Sequence, residues 1–324
     1  MESVAVARVL HNHTAAVNSL DFSKDGEFLL SSGNDRRICL YKCTEGMLQR
    51  LVVCAKYGAC LARFTHDPLS IILTGTAQGD SSIRYMSLHD NRYLRSFSAH
   101  TAAVVCVDMS PKEDLFTSAS MDGTIRLWDL RSPDCQGVMR SSDSSTLRSA
   151  VAFDPTGAVL ASAVNGQVWM YDVRMYDQGP FLTASPGLGT SAHSISTLRF
   201  SNDGKYLLAA MAGAQVTLLD AYTGTVLQEF LRRPGERRLP LECCFSPDSE
   251  FVVGGSEDGA IWRWRTSTGE AMKPMQGHAA PVGAVQCNPT RMMMASACSA
   301  VALWLPTTGS HDPLQPDATL GAVC

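Results

Sequence analysis

One phrase recurs along the chain and limits what it can fold into. It is an apolar stretch ending on an aromatic residue with Ser or Pro beside it, then a turn, then short strand-like runs that finish on an aromatic. The fullest copy runs from His100 through Val107, Asp108, Met109, Ser110 and Pro111 to Ser120, Met121, Asp122, Gly123 and the string Thr124-Ile-Arg-Leu-Trp-Asp129. Setting the other copies against Met109 picks out Phe22, Phe64, Phe153, Phe200, Phe245 and Cys287, at successive intervals of 42, 45, 44, 47, 45 and 42 residues. A period of this size, with several short strands in each unit, predicts an all-β, seven-bladed β-propeller with one four-stranded blade per repeat.

Each copy reads as β segments separated by turn residues. In the first, Val17-Asn-Ser-Leu-Asp-Phe22 leads into the turn Ser23-Lys-Asp-Gly26, then Phe28-Leu-Leu-Ser-Ser32, the turn Gly33-Asn-Asp35, and Arg37-Ile-Cys-Leu-Tyr41. Pro155-Thr-Gly157, Asn202-Asp-Gly204 and Pro247-Asp248 punctuate other copies in the same place, as hairpins require. The phrase supplies three strands, a to c, and the last copy has no outer strand after Trp304. The N-terminal run Val4-Ala-Val-Ala-Arg-Val-Leu10 is expected to close the last blade. Residues 1–306 therefore read as the propeller and 307–324 as a flexible tail, while 141–148 and 185–193 read as extended loops.

Composition narrows the function. With 27 basic and 31 acidic residues the chain carries a net charge of −4, so it lacks the basic face that direct nucleic-acid or membrane-surface binding wants. The cluster Arg232, Arg233, Arg237 and Arg238 reads as a solvated loop. No apolar run approaches the roughly 18 residues of a membrane-crossing helix. The 11 cysteines form no CxxC pair, and Cys39, Cys106, Cys243 and Cys287 fall on apolar strand positions, where cysteine packs as a small hydrophobe. That usage, with an N-terminus lacking a signal peptide, points to a reducing compartment.

Polar residues recur at fixed spacing too. His13 precedes Asp35, and His100 precedes Asp122, by 22 residues in both cases. With Ser118 or Ser120 nearby, His and Asp invite a catalytic-triad reading. Recurrence in separate blades instead favours architecture. In WD-repeat blades the turn Asp bonds the His, and a Ser or Thr carries the network to the strand-c Trp, a buried network that fixes the blade. His13, Asp35, His100, Asp122, Trp128, Asp258 and Trp264 are the expected members; blade 7 has His278 but Ala300 where the Asp should stand. His11 and His13 lack thiolate or carboxylate partners for a metal, Cys243-Cys244 reads as strand filler, Cys298 has no flanking glycine of a nucleophile elbow, and no Gly-rich phosphate loop occurs. A propeller enzyme would need a titratable cluster at the central channel, and the sequence shows none. The expectation is a non-enzyme with no cofactor and no metal.

Several non-repeat strings narrow the reading further. They are Ser82-Ile-Arg-Tyr-Met-Ser-Leu-His-Asp-Asn91, Thr124-Ile-Arg-Leu-Trp-Asp-Leu-Arg-Ser-Pro-Asp-Cys-Gln-Gly137, Asp177-Gln-Gly-Pro-Phe181, Phe200-Ser-Asn-Asp-Gly-Lys205, Gly255-Ser-Glu-Asp-Gly259, Ser296-Ala-Cys-Ser299 and Leu303-Trp-Leu-Pro306. From Val4 to Pro306 the chain resembles the WD-repeat scaffold subunit of the COMPASS histone H3 lysine-4 methyltransferase. The resemblance implies a nuclear, non-catalytic scaffold, monomeric within a hetero-complex. Its implied partners are a methyltransferase catalytic subunit, a protein phosphatase-1 targeting subunit of a transcription-termination complex, and the phosphorylated C-terminal repeats of RNA polymerase II. Peptide docking is expected on the top face, where the d–a and b–c loops converge and Asn18, Asn34, Met121 and Glu257 project. Trp128-Asp-Leu-Arg131 and Tyr171-Asp-Val-Arg174 support a second reading, because a Trp-Asp-x-Arg blade end resembles the motif by which substrate receptors dock on the cullin-4 ubiquitin-ligase adaptor.

Overall fold

A computed structural model describes residues 3–140, 149–186, 195–211, 215–231, 239 and 241–307 of the chain. The loop 141–148, most of the loop 185–193, the basic cluster at 232–238 and residues 308–324 lie outside the described residues.

The described strands form seven four-stranded antiparallel sheets. Blade 1 runs Val17–Phe22, Phe28–Gly33, Arg37–Lys42 and Met47–Val53; blade 3 runs Val104–Met109, Leu115–Ser120, Thr124–Asp129 and Cys135–Arg140. Blades 2, 4, 5 and 6 begin at Cys60–Phe64, Val151–Phe153, Ile195–Phe200 and Cys243–Phe245. Phe22, Phe64, Met109, Phe153, Phe200, Phe245 and Cys287 each end a strand a, so the register read from the repeat is the register of the ring. The only helical element among the described residues is the short 3-10 turn Tyr176–Gln178.

Blade 7 consists of Ala284–Cys287, Met294–Ala297 and Val301–Pro306, with Val4–Leu10 added as its outer strand. Val4 pairs with Pro306 and Leu10 with Val301. The sequence-based expectation that the N-terminus closes the last blade is met.

Regular irregularities recur from blade to blade. The a–b pairing shifts register near the start of strand a between Val17 and Ser19, between Val104 and Cys106, and between Ile195 and Thr197. The c–d pairing shifts between Leu40 and Tyr41, between Leu127 and Trp128, and between Leu218 and Leu219. Such bulges raise local twist, which lets each sheet fan outward from a narrow inner strand to a wide outer one. Turn chemistry locks the underside of the ring. Gly26 adopts φ +71°, and a Cβ there would lie 2.3 Å from both Asn288 Oδ1 and Thr290 Oγ1 of blade 7. Those two side chains donate to the Gly26 and Asp25 carbonyls across the closure.

The core is divided among the blade boundaries. Leu20, Leu29 and Tyr41 of blade 1 pack on Leu10, Ala295 and Leu303 of blade 7. Leu30 and Ile38 pack on Phe64 and Ile71, and Ile83 and Phe97 on Phe116 and Trp128. Ile125 meets Leu160, Ala161 meets Leu207, Val216 meets Val252, and Phe251 meets Trp304. Each of the seven buried clusters thus spans one boundary. Cys39 and Cys243 are buried as expected of small hydrophobes, whereas Cys106 and Cys287 are half-buried. Their inner strands line the channel, where no further blade covers them.

Removing residues 1–10 should leave Val301–Pro306 as a bare edge and take away Leu10, whose burial alone contributes about 2 kcal/mol. The truncated chain is expected to unfold with a lower thermal midpoint and to self-associate, measured by differential scanning fluorimetry and size-exclusion chromatography.

Candidate functional site

Two polar constellations stand out: one inside the blades and one along the channel.

In blade 3 the His100 Nδ1 lies 2.8 Å from Asp122 Oδ2, and Nε2 lies 2.7 Å from Ser118 Oγ. Trp128 Nε1–H donates to the same Ser118 oxygen at 2.8 Å. A hydroxyl has one proton, so Ser118 accepts from Trp128, donates to His100 Nε2, and leaves the imidazole proton on Nδ1 facing Asp122. That is the hydrogen-bond order of a catalytic triad, but Ser118 is completely buried and its lone pair is taken by the indole. No substrate carbonyl can reach it. Burial pushes the Asp122 carboxyl upward, yet hydrogen bonds from Thr124, the Thr101 N–H and His100 outweigh it and hold the pKa at about 2. Burial also depresses His100, more than the Asp122 contact raises it.

Blade 1 repeats the arrangement: His13 Nδ1 lies 3.0 Å from Asp35 Oδ1 and Nε2 2.7 Å from Ser31 Oγ, with Tyr41 in the Trp position. Blade 6 has Asp258 capping the Ala260 N–H at 3.0 Å and a buried Trp264 against Phe230, without a His to join them.

Blade 7 departs from its sequence pattern. Ala300 stands where the Asp is missing, but His278 Nδ1 lies 3.0 Å from Cys298 Sγ and Nε2 2.7 Å from Ser296 Oγ, which also accepts Trp304 Nε1–H at 2.8 Å. Sulfur replaces carboxylate two residues earlier in the chain. Without a carboxylate to favour the cation, burial drives the His278 pKa down to about 4.

The channel corrects the expectation that no titratable cluster lies there. Asp21, Arg63, Asp108 and Arg199 occupy one repeat position, immediately before Phe22, Phe64, Met109 and Phe200. Arg63 Nη1 donates to the Leu20 carbonyl, and its Nη2 lies 3.4 Å from Glu242 Oε1. Arg199 Nη1 reaches Asp108 Oδ1 at 3.3 Å. The carboxylates also stitch blades: Asp21 Oδ2 accepts the Phe64 N–H and Asp108 Oδ2 the Phe153 N–H, each at 2.8 Å. Burial raises the Asp21 carboxyl to about 6 against the pull of Arg63. Every one of these charges is engaged by an opposite charge or a backbone group, and cavities of about 60 and 200 Å³ border them. The cluster is a network of paired charges that ties inner strands of different blades together. It was legible as an alternation of Asp and Arg at the position before the repeat anchor.

The four residues expected on the top face differ in their commitments. Asn18 accepts from Ser32 Oγ at 2.6 Å and donates to Asn34 Oδ1 and the Ala59 carbonyl, both at 3.1 Å, so it ties blade 1 to the following loop. Asn34 is exposed, and Met121 exposes 37 % of its surface. Glu257 Oε1 accepts the Leu239 N–H at 2.7 Å. Arg131 and Arg174 follow strand c of blades 3 and 4. Arg131 forks onto Asp129 at 2.8 and 3.0 Å with its side chain 75 % exposed. The Arg174 N–H is held by Asp172 at 2.8 Å.

Comparison with known proteins agrees with this ring. The family described as "WD domain, G-beta repeat" matches residues 5–42, 91–129 and 240–265. The chain is 43% identical to WD repeat-containing protein 82 of Drosophila melanogaster, over 95% of this chain and 96% of the relative. It is 34% identical to COMPASS component SWD2 of Saccharomyces cerevisiae, over 84% and 81% of the two chains. It is 37% identical to Set1 complex component swd2 of Schizosaccharomyces pombe, over 74% and 68%.

Two outcomes follow. The unfolded chain binds a proton at His278 near pH 6.5 while the folded chain resists until about 4. Stability contributed by this site is present above pH 6.5 and is lost as pH falls toward 4, by on the order of 3 kcal/mol. Asp21, raised to about 6, acts with the opposite sign in the same window, so comparing wild type with His278→Gln isolates the imidazole. The urea midpoint should fall less between pH 7 and 4.5 in the variant. Asp108→Ala strands Arg199 and the Phe153 N–H and should cost about 2–3 kcal/mol; Asp108→Asn, which can still accept that N–H, should cost less in the same denaturation assay.

Proposed function

The chain belongs to the WD-repeat family that includes COMPASS component SWD2 and WD repeat-containing protein 82, and from that premise we propose that it is a non-catalytic scaffold subunit of a COMPASS-like histone H3 lysine-4 methyltransferase complex. The observation that carries the reading is the match, over 84% and 74% of this chain, to relatives named as components of COMPASS and of the Set1 complex. A ring whose Ser-His-Asp sets are buried and whose inner charges are paired supports a role in holding partners rather than in chemistry. The site of action is then chromatin, and the compartment the nucleus.

The docking surface we assign is the top face. Asn34 and Met121 offer side chains to a partner there, while Asn18 positions Asn34 and Glu257 positions the Leu239 loop. The partners proposed are the methyltransferase catalytic subunit, a phosphatase-1 targeting subunit and the phosphorylated C-terminal repeats of RNA polymerase II. The cullin-4 adaptor is the contrasting partner, which would engage Arg131 and Arg174 after strand c.

Affinity purification of the tagged full chain with mass spectrometry tests the reading. A methyltransferase catalytic subunit should be recovered, and the double variant Asn34→Arg with Met121→Arg should reduce recovery about tenfold, as loss of a central contact does. The double variant Arg131→Ala with Arg174→Ala should leave it unchanged. Recovery of a cullin-4 adaptor that depends on those arginines, without the methyltransferase, would replace this reading.

A further inference from the structure

The mouth of the channel on the face opposite the docking surface is bordered by the ends of strands a and the turns that follow them. Its cavity of about 200 Å³ is lined by Arg199, Asn202, Pro247, Gln286 and two cysteines, Cys244 and Cys287. The cysteines sit on neighbouring inner strands, Cys243–Phe245 of blade 6 and Ala284–Cys287 of blade 7. Their sulfurs face each other across the blade boundary at 3.5 Å, with Cys244 donating its S–H to Cys287. Cys244 is buried and Cys287 half-exposed toward the cavity.

We propose that Cys287 and Cys244 form a peroxide-reactive dithiol site, which closes to a disulfide stapling blade 6 to blade 7. The sulfurs need approach only from 3.5 Å to a bonded distance of about 2 Å. The strands that carry them are short, three and four residues, so few ladder hydrogen bonds resist the shift. This inference is independent of which assembly the ring serves.

The two thiols take different roles because their access differs. Cys287 reaches the cavity, whose volume admits hydrogen peroxide. The thiolate is the nucleophilic form. The Cys287 thiol gives its proton to water, and the thiolate attacks one peroxide oxygen. The O–O bond breaks, the sulfur becomes a sulfenic acid, and the departing hydroxide is protonated to water. Cys244 is kept protonated by its hydrogen bond to Cys287 and by burial, which together hold its thiol well above the usual range. It is therefore a poor first nucleophile but stands next to the sulfenic sulfur. Its sulfur displaces hydroxide from Cys287, the S–S bond forms, and the Cys244 proton leaves with that hydroxide as the second water. Two thiols lose two electrons, and one peroxide becomes two waters.

The test uses the reduced full chain treated with dilute hydrogen peroxide under native conditions, with and without dimedone, followed by alkylation and peptide mass spectrometry. The expected product is a Cys244–Cys287 cross-linked peptide lighter by two hydrogens, reversed by dithiothreitol. In Cys244→Ser, dimedone should trap a sulfenic acid on Cys287. In Cys287→Ser, Cys244 should stay alkylatable after unfolding. The wild-type cross-link decides the matter even where a variant folds poorly. Peroxide that leaves both thiols reduced, that drives Cys287 to sulfinic acid without a cross-link, or that modifies Cys244 in Cys287→Ser would overturn the proposal.

Discussion

Everything in this ring depends on apolar contact between blades. A four-stranded sheet buried on neither face would be marginal in water, and here each sheet is buried on both by its neighbours. The core is therefore a set of seven boundary layers, each made half by one blade and half by the next. Six layers join blades that follow one another in the chain, and the seventh is complete only when the first blade meets the last. The N-terminal strand Val4–Leu10, the Gly26 turn and its bonds to Asn288 and Thr290 all serve that single boundary. The termini are joined by geometry rather than by sequence proximity, so most of the stability of blade 7 waits on the completion of blade 1.

Polar groups inside such a structure survive only when every partner is in place. The His-Ser-Trp chains of blades 3 and 7 show how narrow that condition is. One serine hydroxyl accepts a hydrogen bond from the indole N–H and donates its own to the imidazole, which fixes the tautomer and leaves one ring N–H to satisfy. Blade 3 satisfies it with Asp122, blade 7 with the Cys298 sulfur. The electrostatic consequence differs. The carboxylate partly compensates the buried imidazole and is itself held at about 2, whereas next to sulfur the imidazole sinks to about 4. Equivalent architecture thus yields unequal proton affinity.

Much of this was legible in the chain, and the reasons for the remainder are physical. The strand-a anchors, the hairpin turns and the role of Val4–Leu10 follow from periodicity and turn chemistry, which are local properties. The His13–Asp35 and His100–Asp122 pairs follow from one fixed spacing, because both belong to similar turns. The sulfur substitute in blade 7 was hidden by that same rule, since Cys298 lies two residues short of the position where a carboxylate was sought. The channel charges were hidden differently. Asp21, Arg63, Asp108 and Arg199 carry their signal at one repeat position, but which of them pair depends on closing the ring. Asp108 meets Arg199 across two blade boundaries, a relation no short window contains. Asn18, expected among the partner-docking residues, has its side chain tied into the fold by partners from the next strand, the next turn and the following loop, which no local pattern reveals.

These commitments bear on where function can reside. A propeller that kept its channel open would offer a central site ringed by all seven blades. This one spends its inner positions on crossed ion pairs and backbone acceptors, with Arg63 buried and bonded to the Leu20 carbonyl. Removing one partner of such a network leaves a charge that neither water nor protein solvates, so the inner ring resists adaptation to a ligand. Variation costs least on the loops, where side chains such as Asn34, Met121 and Arg131 are exposed above buried strands. The rims, not the inner ring, are therefore where this molecule can vary its side chains without breaking the buried network.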